Sequence, residues 1–147
     1  MGDVIRDIYE HDTCLIFGFE PDESGKLADL DHMTHTLRIS LDEAGIDVFG
    51  DLSHKFTGGG EGVTACNIIG ASCADIHTWP ENGILILRCF ACGDKEHQVK
   101  AFISSMVTRL HPTIAYSISD RLIPSKMPKN IPATWTLLHE RSNAHRH

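Results

Sequence analysis

The sequence predicts an α+β chain folded as a two-layer α/β sandwich, a mainly antiparallel sheet with two helices on one face. Short apolar runs bounded by Gly, Pro, Asn and Asp recur along it as strands do, while two longer segments carry apolar residues at helical spacing. The connections between the middle strands are too short for a crossover, so those neighbours must be antiparallel. Two helices on one sheet face leave the other face in need of cover, which predicts a homodimer.

In chain order, Thr13 to Phe19 reads as a strand, ended by Glu20-Pro21-Asp22-Glu23-Ser24-Gly25. Leu27, Leu30, Met33 or Thr34, Leu37, Leu41 and Ala44 then recur at helical spacing, and Gly45 falls where a left-handed cap is expected. Ile46, Val48, Gly50 and Leu52 alternate as in a strand, and Thr57 to Gly62 is a glycine-rich hairpin loop. That loop lacks the Gly-Lys-Ser/Thr ending of a phosphate cradle. Val63 to Ile69, Cys73 to Trp79 and Ile84 to Ala91 read as three consecutive strands. Asp94 is placed to cap a helix whose apolar face is Val99, Phe102, Ile103, Met106, Val107 and Leu110, and Thr113 to Ser119 is a last strand. Residues 1–122 are read as the domain; residues 123–147, Pro- and Lys-rich at first, read as a poorly ordered extension.

A chain of 147 residues with 41% apolar composition suffices for one core. Its formal net charge of -7 argues against nucleic acid and favours a small cationic ligand. No apolar run approaches the roughly 18 residues that span a bilayer, and the first residues show no signal peptide, so the expected location is the cytoplasm, away from membranes. The cysteine count is odd, 5, as for free thiols in a reducing compartment. Cys89 and Cys92, three apart on a strand, face opposite ways and do not share a metal. His32 and His35 have no third ligand at matching spacing, so no metal site is expected.

The stretch from Gly70 to Asp94 carries the chemistry. Ser72 lies in a small-residue step between two strands, with Thr64 before it, His77 five residues after it and Cys92 twenty after it. A hydrolase triad of Ser72 and His77 oriented by Asp75 is one reading, but no Gly-x-Ser-x-Gly elbow surrounds Ser72.

Ile76-His77-Thr78-Trp79-Pro80-Glu81, Cys92-Gly93-Asp94, Ser53 to Phe56 and Gly62-Val63-Thr64 resemble the prokaryotic S-adenosylmethionine decarboxylase proenzymes. The resemblance extends, more weakly, from about Leu15 to Tyr116. It implies self-cleavage at Ala71-Ser72, which converts Ser72 into a covalent pyruvoyl cofactor. Thr64 would supply the processing hydroxyl, His77 would move the proton, and Cys92 would reprotonate the substrate carbon. The pyruvoyl carbonyl would form a Schiff base with the substrate amine and serve as electron sink. By the same resemblance Phe56 stacks on adenine, Glu81 accepts from the ribose hydroxyls, the product serves polyamine (spermidine) biosynthesis, and the active site lies at a dimer interface. The chain departs from the family's pattern at Ala71, usually Glu, at Cys73, usually His, and at Thr64, usually Ser. Ornithine or arginine as substrate, and an unprocessed ligand-binding homologue, are the alternatives.

Overall fold

A computed structural model describes residues 8–93 and 95–124. Its strands and helices follow one another as β1 (Ile8–Gly18), α1 (Leu30–Glu43), β2 (Gly50–Lys55), β3 (Val63–Ile68), β4 (Cys73–Trp79), β5 (Ile84–Cys92), α2 (Glu96–Leu110) and β6 (Ile114–Pro124). The strands make one six-stranded sheet in the order β2-β3-β4-β5-β1-β6, with every neighbour antiparallel. This is the α+β sandwich expected from the periodicities. Helix α1 carries the chain from β1 to the β2 edge, and α2 carries it from β5 to the β6 edge.

Local chemistry explains where the helices stop and start. Asp29 caps α1 by accepting from the His32 backbone N–H at 3.0 Å, and Gly45, at φ +71°, lies just beyond its C-terminus. Leu27, expected inside the helix, lies instead in a 3-10 turn over Ser24–Ala28, because the Asp29 cap begins α1 after it; its side chain is still fully buried. Met33, Leu37 and Leu41 of α1 meet Val99, Phe102, Met106 and Leu110 of α2 in one core. The residue expected to cap α2, Asp94, lies outside the described residues.

Several strand boundaries differ from the sequence reading. The strand expected from Ile46 begins only at Gly50: the chain first descends from the helix layer to the sheet edge, and Ile46 and Val48 fill that junction against the core. β1 starts at Ile8 and β6 continues to Pro124, pairing with each other through residues whose polarity hid the alternation. His11 and Thr13 hydrogen-bond Asp120 across that pair. Their bonds, led by that of His11, hold the Asp120 carboxyl below the usual range. β5 runs one residue further than expected and includes Cys92.

The middle strands alternate cleanly. Ala74, Ile76 and Thr78 of β4, with Leu85, Leu87, Cys89 and Ala91 of β5, are buried under the helices. Thr78 is satisfied there, donating to the Leu27 carbonyl at 2.7 Å and accepting from the Val63 N–H at 2.8 Å. The opposite, open face carries the remaining residues of the same strands, exposed Trp79 among them, together with exposed Ile68 of β3 and Tyr116 of β6. Phe102→Ala, which empties a fully buried position, is expected to cost about 3–5 kcal/mol in denaturant unfolding. Val107→Ala on the outer side of the same helix should stay within about 0.5 kcal/mol.

Candidate active site

Because β4 alternates, Asp75, His77 and Trp79 all emerge on the open face. In the β3–β4 register His77 stands opposite Thr64, whose Oγ1 lies 3.1 Å from His77 Nδ1. The other ring nitrogen faces Asp75: Nε2–H donates to Oδ2 at 2.9 Å. A hydroxyl, an imidazole and a carboxylate thus form one hydrogen-bonded row.

Beside this row lies a recess of about 300 Å3 whose walls include Phe56, Thr64, His77, Trp79 and Glu81. Phe56 is held edge-to-face by His54, with ring centroids 4.7 Å apart. Glu81 sits in a 3-10 turn, Pro80–Asn82, under the glycine loop. A Cβ on Gly60 would stand 2.6 Å from the Glu81 carboxylate, and one on Gly62 only 2.3 Å from the Thr78 carbonyl. Gly60 and Gly62 of this loop therefore serve close approach to the recess wall.

Ser72 lies at the other end of β4. The turn from Ile69 to Ser72 is closed by the Ile69 N–H donating to the Ser72 carbonyl at 2.9 Å, with Gly70 at φ +75°. Ser72 is 7% exposed while Ala71 is exposed, so the Ala71-Ser72 bond runs from the turn's tip toward the interior. A Cβ on Gly70 would lie 3.4 Å from Cys92 Sγ, which places the thiol against this turn. Gly70 and Cys92 also share a recess of about 200 Å3 with Phe49, Ile69, Ala91 and Lys95. A thiol against the turn that carries Ser72 fits the residues that would hold a Ser72-derived pyruvoyl group.

The sequence-predicted residues therefore fall into two sets. Thr64, His77, Phe56 and Glu81 share one recess, and Cys92 adjoins the turn that carries Ser72. Five residues of extended strand, about 16 Å, separate Ser72 from His77, so the sets do not meet within one chain. Sequence reasoning had grouped Ser72, Thr64, His77 and Cys92 together. It passed over Trp79 as a wall of the recess, and took Asp75 only as a hydrolase acid; an Asp two residues from a His on a strand was the available signal.

The cysteines differ as their strand faces require. Cys89 is fully buried and burial pushes its thiol up to about 12, whereas Cys92 is half-buried on the opposite face. Burial, then the Asp75 carboxylate, also raises the Cys66 and Cys73 thiols on the open face. Among the described residues no group of three or more His, Cys, Asp or Glu is placed to hold a metal, and no helix is long and apolar enough to cross a membrane.

A family model described as S-adenosylmethionine decarboxylase matches residues 14–120. The chain belongs to that family. The S-adenosylmethionine decarboxylase proenzyme of Prochlorococcus marinus (strain MIT 9211) is 35% identical over 78 residues, 53% of this chain and 62% of that protein. The proenzyme of the same description from Pelotomaculum thermopropionicum is 31% identical over 107 residues, 71% of this chain and 82% of that protein. An arginine decarboxylase proenzyme of Ignicoccus hospitalis is 29% identical over 112 residues, 76% of this chain and 75% of that protein. The matches to the Prochlorococcus and Synechococcus relatives span 62% to 66% of those proteins, less than two thirds of their length. The crystal structure of the adenosylmethionine decarboxylase from Aquifex aeolicus shares the fold, with a TM-score of 0.63 at 16% identity over 86% of this chain and 98% of that one.

In this member of the S-adenosylmethionine decarboxylase family the buried Cys89 should resist alkylation. Iodoacetamide under native conditions is expected to leave Cys89 unmodified by peptide mass mapping, and to label it fully once the chain is unfolded.

Proposed function

We propose that the protein is a self-processing, pyruvoyl-dependent decarboxylase of S-adenosylmethionine, cleaved at Ala71-Ser72. The observation that supports this most is the pairing of two hydrogen-bonded processing groups, Thr64 and His77, with a Ser72 turn against which the Cys92 thiol rests. The Ser72 hydroxyl attacks the Ala71 carbonyl, and the chain passes to the oxygen as an ester. His77 then takes the Ser72 Cα proton, the Cβ–O bond breaks, and Ala71 leaves as a carboxylate. Hydrolysis frees ammonia and leaves the pyruvoyl group, which supplies a carbonyl electron sink for decarboxylation. Cys92, at the rim of the Ser72 turn, is the proton donor on this reading. Phe56 and Glu81 would hold adenine and ribose, and the sulfonium suits an acidic chain. The product would enter spermidine synthesis in the cytoplasm.

The separation of the two sets of residues supports a homodimer in which each site is shared. A two-fold axis perpendicular to the strands, between two open faces, sets the Ser72 end of one β4 against the His77 end of the other. The apolar residues on that face, Ile68, Trp79 and Tyr116 among them, would be covered by the same contact. The resemblance to the Ignicoccus arginine decarboxylase proenzyme favours arginine as the second reading of the substrate.

Complementation tests the shared site. Ser72→Ala and His77→Ala chains should each remain whole when expressed alone. Refolded together, they should yield cleaved His77→Ala chains, because the heterodimer contains one site with both residues intact; intact mass reads this directly. No cleavage in the mixture, with normal cleavage in the wild type, would place both residues in one chain's site. For the substrate, Glu81→Gln should leave cleavage unchanged and lower kcat/KM for S-adenosylmethionine at least about tenfold, since charge-assisted bonds to ribose are lost. Carbon dioxide released from arginine but not from S-adenosylmethionine would move the substrate assignment to the second reading.

A further inference from the structure

Asp75 holds His77 with one carboxylate oxygen, at 2.9 Å, while its other oxygen is buried without a hydrogen-bond partner. We infer that Asp75 is a positioning residue for self-processing: it fixes His77 as the Nε2–H tautomer and so makes Nδ1, beside the Thr64 hydroxyl, the ring atom that receives the proton. The inference rests on the self-processing reading above.

The argument is one of hydrogen-bond bookkeeping. A carboxylate only accepts, so a neutral imidazole bonded to it at Nε2 must carry its single proton there. Nδ1 then presents a lone pair, and Thr64 Oγ1, 3.1 Å away, must be the donor in the resting state. When Nδ1 takes the Ser72 Cα proton, the released electron pair forms the Cα–Cβ double bond. The Cβ–O bond breaks and its pair leaves on the Ala71 carboxylate. His77 is now cationic with Nδ1–H donating to Thr64, whose own hydroxyl proton is freed to face the departing carboxylate. Asp75 offsets the charge gained by the ring, in contact with it from the side opposite Thr64.

The other groups around His77 do not supply this function. On β3 the same face carries the Cys66 thiol, which stands opposite Asp75, and on β2 His54 stands opposite Thr64. On β5 Ile86 stands opposite His77, and Arg88 opposite Asp75 is engaged by Asp12 at 3.3 and 3.4 Å. Trp79 tilts beside the ring, and Glu81 lines the recess. The Asp75 carboxylate is thus the acceptor that selects one nitrogen, and its unpaired second oxygen fits a role beyond packing.

The test uses the full chain carrying Ser72→Ala, which stays uncleaved, with 15N-labelled histidine at a pH where the ring is neutral. His77 is expected to show the Nε2–H tautomer, and adding Asp75→Asn, whose amide donates as readily as it accepts, should bring in the Nδ1–H form. In chains that keep Ser72, Asp75→Asn should slow cleavage at least about tenfold by intact mass, with Asp75→Glu recovering most of the rate. Asp75→Thr, a strand-favouring side chain, serves the same purpose should the amide disturb folding. An unchanged tautomer together with an unchanged cleavage rate overturns the role of Asp75 alone. A wild-type chain that never cleaves overturns the processing reading and the proton path with it.

Discussion

The two-residue alternation of β4 is the constraint on which the rest of the structure depends. One set of its side chains, Ala74, Ile76 and Thr78, is buried beneath the helices; the other, Cys73, Asp75, His77 and Trp79, faces away from them. A register slip of one residue would bury Asp75 and His77 among leucines and expose Ile76, so the core locks the functional row in place. Thr78 tightens that lock because its hydroxyl ties the sheet to the Leu27 carbonyl on one side and to the Val63 N–H on the other.

The open face combines apolar and charged side chains in a way that a lone sheet face does not require. Arg88 stands opposite Asp75 on β4 and Cys14 on β1, reaches diagonally to Asp12, and is flanked by Ile86 and Phe90. Arg88 is raised above its usual range chiefly by its bond to Asp12. A charge row of this kind is costly to bury unless each member keeps a partner, so the proposed dimer must bring donors and acceptors as well as apolar cover. The second oxygen of Asp75 is one place where such a donor would be received.

The chain's departures from its family's pattern collect around the same two places. Ala71, where a glutamate is usual, stands exposed at the tip of the Ser72 turn, and Cys73, where a histidine is usual, is a half-buried thiol with Asp75 nearby. Thr64 keeps a hydroxyl but adds a methyl group that restricts its rotamer, and that rotamer is the one that meets His77 Nδ1. In the glycine loop over Glu81, the Thr78 backbone carbonyl leaves no room for a side chain at Gly62.

Much of this was legible in the amino-acid order because it is local. Strand and helix periods, the Gly45 cap, the opposite faces of Cys89 and Cys92, and the spacing of Thr64, Ser72, His77 and Cys92 all follow from short-range geometry. Other residues were misplaced: Leu27 left the helix because the Asp29 cap outweighed its spacing, and the ends of β1 and β6 extend through pairing with each other and, for β1, with β5. By itself the sequence determined the α+β class, the family and the residues to examine. Only the tertiary structure decided that Thr64 and Asp75 bracket His77 in one hydrogen-bonded row and that Cys92 rests against the turn before β4, since the choice of contact partner depends on neighbours remote in sequence.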